Sequence, residues 1–331
     1  MSTFAAVVLF TGVVAYAVLG GADYGAGFWD LTAGGADRGR APRHLLDQTL
    51  APVWEANHVW LIFCLVMLWT AFPAAFAAIM TTLYIPLGLA ALGIVARGSG
   101  FAFRKALVRT DQQRATGAAF ASSSVITPFF LGTVAGGIAS GRVPPGGNGD
   151  PLTSWVNPTS LLGGVLAVGV CAFVAAVFLT AEARRHARPD LESWFRRRAR
   201  GCAVVTGTVA LAGVWILRAD AGHLFHGLLT RGLPLVLVSG ACGLACLGLL
   251  RWAAPRTVQA LAVTAAGTVV LGWGVAQYPY LLGTRLRIAE AAAPDPTLWA
   301  LTIVAAAALM LVLPALGWLF LLHQRGDLDG A

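Results

Sequence analysis

The sequence predicts an all-α, polytopic membrane protein, and three observations lead there. Of 331 residues, 57% are apolar and only 11% are charged, where soluble domains average about 25% charged. Apolar runs recur along the whole chain, nine of them long enough to cross a hydrocarbon core, a distance that takes about 20 helical residues. The basic residues cluster in the short connections between those runs. The net charge of +8 therefore reads as membrane topology rather than as a nucleic-acid surface.

In chain order the runs cover residues 4–31, 52–72, 77–96, 117–138, 160–181, 202–217, 232–250, 257–276 and 298–322. The opening Met1-Ser2-Thr3-Phe4 lacks the positive n-region of a cleaved signal peptide, so the first run is expected to be a permanent helix. A tight turn near Pro73 separates the second run from the third. The longest polar connection, 139–159, contains Val143-Pro144-Pro145-Gly146-Gly147-Asn148-Gly149 and should be irregular. Residues 1–331 are expected to form a single integral membrane domain, with no soluble domain and no repeat. Cys64, Cys171, Cys202, Cys242 and Cys246 all fall in or beside apolar runs. They form no CxxC or Cys/His cluster, and small lipid- or core-facing roles suit them.

Orientation follows from the positive-inside rule. With the N-terminus outside, 18 of the 23 basic residues fall on the inner side and 5 on the outer. The chain is thus expected to run N-out, C-in, with Arg196-Arg197-Arg198 and Arg200 as an inner basic loop.

Only three carboxylates lie within or at the edge of an apolar run: Asp23 and Asp30 in the first, and Glu55 in the second. An ionised side chain at mid-membrane costs about 2.5–3.5 kcal/mol even on a lenient scale, so this grouping is unlike chance. Counting from Phe4, Asp23 lies about 28 Å along a helix running inward, and Glu55 opens a helix that starts on the same inner side. Both acids should sit in the inner part of the membrane, where a carboxylate can take protons from that compartment. Structural roles compete: Asp23 can tie two helices by hydrogen bonds, and Glu55, after Pro52, can simply complement a helix dipole. Asp30 fits an interfacial charge. His58, three residues after Glu55, can share its helix face and relay protons. Haem ligation by His58 would need a second ligand. No other membrane histidine exists, and Met67, Met80 and Met310 are the only membrane methionines. Gly21 and Gly25 make a small-xxx-small face for a close helix neighbour, and Gly27 adds to it. No phosphate loop, dinucleotide fingerprint, zinc-protease motif or hydrolase nucleophile is present.

Two stretches carry a resemblance: Gly21-Ala22-Asp23-Tyr24-Gly25-Ala26-Gly27 and Pro52-Val53-Trp54-Glu55-Ala56-Asn57-His58-Val59-Trp60-Leu61. With Ala71-Phe72-Pro73, Arg97-Gly98, Phe101, Phe103-Arg104 and Tyr278-Pro279, the chain resembles subunit II of the cytochrome bd-type quinol oxidases. The resemblance implies two four-helix bundles plus a peripheral helix. It also implies a heterodimer with subunit I, which holds haems b558, b595 and d, and in some members a small accessory subunit. Subunit II binds no haem, although some members hold a structural quinone. The complex oxidises quinol, reduces oxygen to water and builds a proton gradient across the bacterial cytoplasmic membrane. By the same resemblance Asp23 and Glu55 match acids proposed to line the inner proton path, whereas the position of His58 varies in the family. From its place on the helix His58 joins the expected path, with Trp54, Asn57, Gly21, Gly25 and Arg97 in support. The family more often has Asp where Glu55 stands, and many members have an acid where this chain has Ala102. A proton-coupled secondary transporter is the rival expectation; it would show inverted repeats and helices broken at mid-membrane.

Overall fold

The computed structural model describes residues 1–35, 37–50, 54–106 and 110–325, with side chains described except at 47, 50, 54–56, 101, 102, 104–106, 110–115, 313, 316 and 319–325. The opening apolar run forms α1, Ser2–Leu31, at about 45 Å more than long enough to span a bilayer core. One π-helical turn, Tyr16–Gly20, interrupts it. The long helices that follow are α2 (Arg40–Leu50), α3 (Trp54–Ala71), α4 (Pro73–Thr82), α5 (Tyr84–Ala106), α6 (Thr110–Ala139), α7 (Pro158–Arg185), α8 (Pro189–Asp220), α9 (Gly222–Thr230), α10 (Leu233–Leu249), α11 (Pro255–Gln277) and α12 (Asp295–Arg325). An antiparallel ribbon, Tyr280–Leu282 with Leu286–Arg287, stands between α11 and α12. The all-α, multi-pass character is as expected. Among the described residues six helices are long and apolar enough to cross a membrane, and up to eight if each of two bent pairs is one span.

Three connections differ from the sequence reading. Where a tight turn was expected near Pro73, the chain bends by 117° and runs on as α4. Proline cannot continue the ladder of α3 but starts a helix well. The two helices on either side of the break, Asn57–Ala71 and Pro73–Thr82, form one of the two bent pairs. The inner basic loop is largely helix: Arg196, Arg197, Arg198 and Arg200 lie on α8, because Pro189 starts that helix and nothing after it breaks it. Arg196 pairs with Glu192 at 2.9 Å, and the Arg198 guanidinium lies 3.2 Å from the Trp194 ring centre. The connection 33–51 contains amphipathic α2, whose Leu45 and Leu46 are buried. Residues 140–157 are non-helical as expected, ending where Asn157 accepts the Ser160 N–H at 2.9 Å and caps α7.

Sequence neighbours α5, α6, α7 and α8 pack side by side, and the second half of α1 lies against α6 and α7. The first half of α1 packs on α3. Two large apolar clusters result, one around Trp29, Leu45, Leu179, Phe195 and Leu250, the other around Met67, Phe72, Leu83, Leu282 and Leu298, with a small third around Leu224 and Ala276.

Asp220 closes α8 and gathers three segments. Arg142 donates to it at 3.0 and 2.5 Å, and Thr159 donates its N–H at 3.2 Å and its hydroxyl at 2.6 Å. Replacing Asp220 by alanine strands a half-buried Arg142 and frees the Thr159 N–H and hydroxyl, while Asn157 still caps α7. Thermal unfolding in detergent should show a loss of about 1–3 kcal/mol.

Candidate functional site

Glycine lets α1 enter its neighbours. A Cβ on Gly25 would overlap the Cys171 carbonyl and lie 2.7 Å from Ala175 Cβ, and one on Gly27 would overlap the Ser124 side chain. A Cβ on Gly21 would come only to 3.3 Å from Cys171 Sγ. The helix is held at this depth by Trp29, whose indole N–H donates to the Ala172 carbonyl at 2.8 Å. Residues Gly21, Asp23, Tyr24, Gly25, Ala26, Gly27, Trp29 and Asp30 are consequently all buried.

Asp23 is 5% exposed. Its carboxylate accepts a hydrogen bond from the Asn57 amide of α3, which also donates to the Leu19 carbonyl at 3.3 Å. Arg97 reaches the same place from α5 and is 1% exposed. It donates to the Asp23 backbone carbonyl at 2.9 Å and to the Ser124 hydroxyl of α6. Its guanidinium carbon lies 5.0 Å from the Tyr24 ring centre and 4.4 Å from that of Phe120, a cation–π sandwich. Two phenols complete the cluster: Tyr16 and Tyr24 hydroxyls are 3.1 Å apart. The His58 ring centre is 6.4 Å from each of theirs.

The structure thus places Asp23, Asn57, His58 and Arg97 around the second half of α1, on which Gly21 and Gly25 lie. Glu55 and Trp54 open α3, but their side chains, like that of Ala102, lie outside the described residues. Asp30 is no simple interfacial charge. It is 8% exposed and takes a 2.8 Å ion pair from Arg43 of α2, which also donates to the Gly34 carbonyl at 2.7 Å. Sequence reasoning missed Tyr16, Tyr24, Phe120 and Ser124. The run Ser122-Ser123-Ser124 inside an apolar segment was the available signal, since buried hydroxyls there need a partner.

Among the described residues no group of three or more His, Cys, Asp or Glu is placed to hold a metal ion. A cavity of about 300 Å³ beside the 140–157 connection is lined by Arg142, Asp150, Thr153, Ser154 and Arg285. That polar lining does not suit the apolar tail of a quinone.

Compared with known proteins, the sequence matches the family described as cytochrome bd terminal oxidase subunit II over residues 1–323. The chain belongs to that family. It is 28% identical over 221 residues to the Escherichia coli K12 cytochrome bd-I ubiquinol oxidase subunit 2, a match covering 64% of this chain and 56% of that one. A Bacillus subtilis cytochrome bd ubiquinol oxidase subunit 2 is 28% identical over 176 residues, covering 52% and 50%. The chain thus spans little more than half the length of these curated relatives. In three dimensions it is similar to a chain of the bd oxidase from Geobacillus thermodenitrificans, with a TM-score of 0.82, 23% identity and coverage of 100% and 99%; that likeness establishes the fold. Like its family, the chain is a multi-pass protein of the bacterial cytoplasmic membrane.

The two subunit II glycines should answer differently to an added methyl group. Gly25→Ala meets backbone and should destabilise by about 1–3 kcal/mol or more. Gly21→Ala meets only a thiol and regains helix propensity of about 0.5–1 kcal/mol, so it should unfold near the parent temperature. Thermal melts of the two variants check this.

Proposed function

We propose that this chain is the non-haem subunit of a quinol:oxygen oxidoreductase that reduces oxygen to water, and that it conducts protons inward to the haem-bearing subunit I. In this reading it crosses the membrane nine times, N-out and C-in, as two four-helix bundles and a peripheral helix. The partner's haems b558, b595 and d supply the redox chemistry; ubiquinol or menaquinol is the electron donor.

One observation carries the proton role. Asp23 is a buried carboxyl in an apolar helix, hydrogen-bonded by Asn57 and neighboured by the fully buried cation Arg97. A carboxyl kept at such cost has a use beyond packing. Asn57 aims one carboxyl oxygen and leaves the other for a proton. Arg97 offsets negative charge at the site when that proton departs. Glu55 and His58, three residues apart on α3, are the entrance in this scheme, with Gly25 letting the neighbouring helix close in and Trp54 and Gly21 as further candidates.

The test uses the intact two-subunit complex. Asp23→Asn and Glu55→Gln should each slow oxygen consumption at least tenfold, equivalent to about 1.4 kcal/mol in the barrier, while the haem spectrum stays intact. Wild-type turnover and proton uptake in both variants would sink the proton role. A colourless lone protein that accumulates a solute would favour a transporter.

A further inference from the structure

We propose that the hydrogen-bonded pair Tyr24–Tyr16 is the second stage of the proton path, carrying protons from the Asp23 site toward the middle of the membrane. The inference rests on the reading of Asp23 as a proton carrier.

The pair is built by the sequence around it. Tyr16, Gly20 and Tyr24 stand at i, i+4 and i+8 on one side of α1. The Tyr16 ring folds back across Gly20, where a Cβ would come within 2.9 Å of Tyr16 Cε2. That gap lets the two rings meet edge to face, with centres 6.5 Å apart and planes at 84°. The π-helical turn begins at Tyr16 itself, and such turns occur frequently at functional sites. Arg97 faces the pair from α5, His58 from α3 and Cys171 from α7.

Stability alone gives little reason for the hydroxyls. Among the described residues each phenol hydroxyl bonds only the other, and replacing both partners of such a buried hydrogen bond by apolar groups is nearly neutral. Their geometry does suit a relay. Either oxygen can donate across the 3.1 Å gap, so the bond can reverse. Tyr24 is 2% exposed, and the Arg97 guanidinium that lies 5.0 Å from its ring centre also donates to the Asp23 carbonyl at 2.9 Å. Tyr16 is half-buried, beside half-buried His58. It lies seven residues nearer the N-terminus than Asp23, about 10 Å farther along the helix.

The transfer balances without a net change in either phenol. A proton from the Asp23 side joins Tyr24 Oη as the original Tyr24 proton passes to Tyr16 Oη. The original Tyr16 proton then leaves toward an acceptor in the partner subunit. Rotation of both hydroxyls restores the starting arrangement.

Tyr16→Phe, Tyr24→Phe and the double variant, each in the two-subunit complex, test the relay. Proton uptake during oxygen reduction should fall at least fivefold in each single variant, with a larger solvent isotope effect. The double variant should be no slower than the slower single, because the hydroxyls act in series. Wild-type uptake in the singles overturns the proposal. So does recovery to wild-type uptake in the double, which is the signature of hydroxyls that merely satisfy each other. Asp23→Asn measured alongside separates the two readings. If it is slow while the tyrosine variants are normal, only the relay fails; if it is normal, the Asp23 reading fails as well. Should Tyr24→Phe not assemble, Gly20→Ala displaces the Tyr16 ring with both hydroxyls kept, and unchanged uptake there is equally fatal.

Discussion

A single guanidinium, sealed inside the protein, organises the region where the acidic helix meets its neighbours. Arg97 is anchored on α5 yet donates to a main-chain carbonyl of α1 and a hydroxyl of α6, while two aromatic rings cover its faces. A buried cation is costly unless its charge and donors are met, and here both terminal nitrogens find acceptors on neighbouring helices while Nε finds none among the described residues. Three helices must therefore keep their mutual register for it to remain there. The fit leaves so little room that Gly27, directly beneath, can carry no side chain.

The same demand explains the second half of α1. A helix that must present a carbonyl to Arg97 and a carboxylate to Asn57 has to sit deep between α6 and α7. Gly25 removes the obstacle to the Cys171 carbonyl, and Trp29 holds the position by bonding the carbonyl of the next residue, Ala172. The polar site and the small-residue face are two aspects of one packing solution. Below them, the Asp30–Arg43 pair ties amphipathic α2 to the end of α1, so the segment is fixed at both ends.

Much of this was legible in the residues. Helical runs announce themselves when the solvent is lipid, because every backbone group must be satisfied within the helix. Acids in those runs stand out for the same energetic reason. Helix ends were less legible. Arg196–Arg200 read as a loop from charge, although arginine is a good helix former and the preceding Pro189 is a natural start. Asp30 was misjudged because its partner, Arg43, comes 13 residues later on a helix whose docking is a tertiary event. Phe120 was invisible for a similar reason, since its importance lies in facing Arg97, a pairing that no local pattern encodes; Ser124 left only the trace of a serine run in an apolar segment.

The π-helical turn at Tyr16–Gly20 has a consequence for the winding of α1 as a whole. One additional residue in a turn offsets everything downstream by about 100° about the axis. The half that leans on α3 and the half embedded between α6 and α7 are therefore out of phase with an uninterrupted helix. Excising one residue between 16 and 20 would leave the chain just as apolar and just as helical. It would nonetheless swing Asp23 away from Asn57 whenever the upper half stayed docked. Hydropathy would record nothing, and the alignment of two otherwise independent surfaces would be gone.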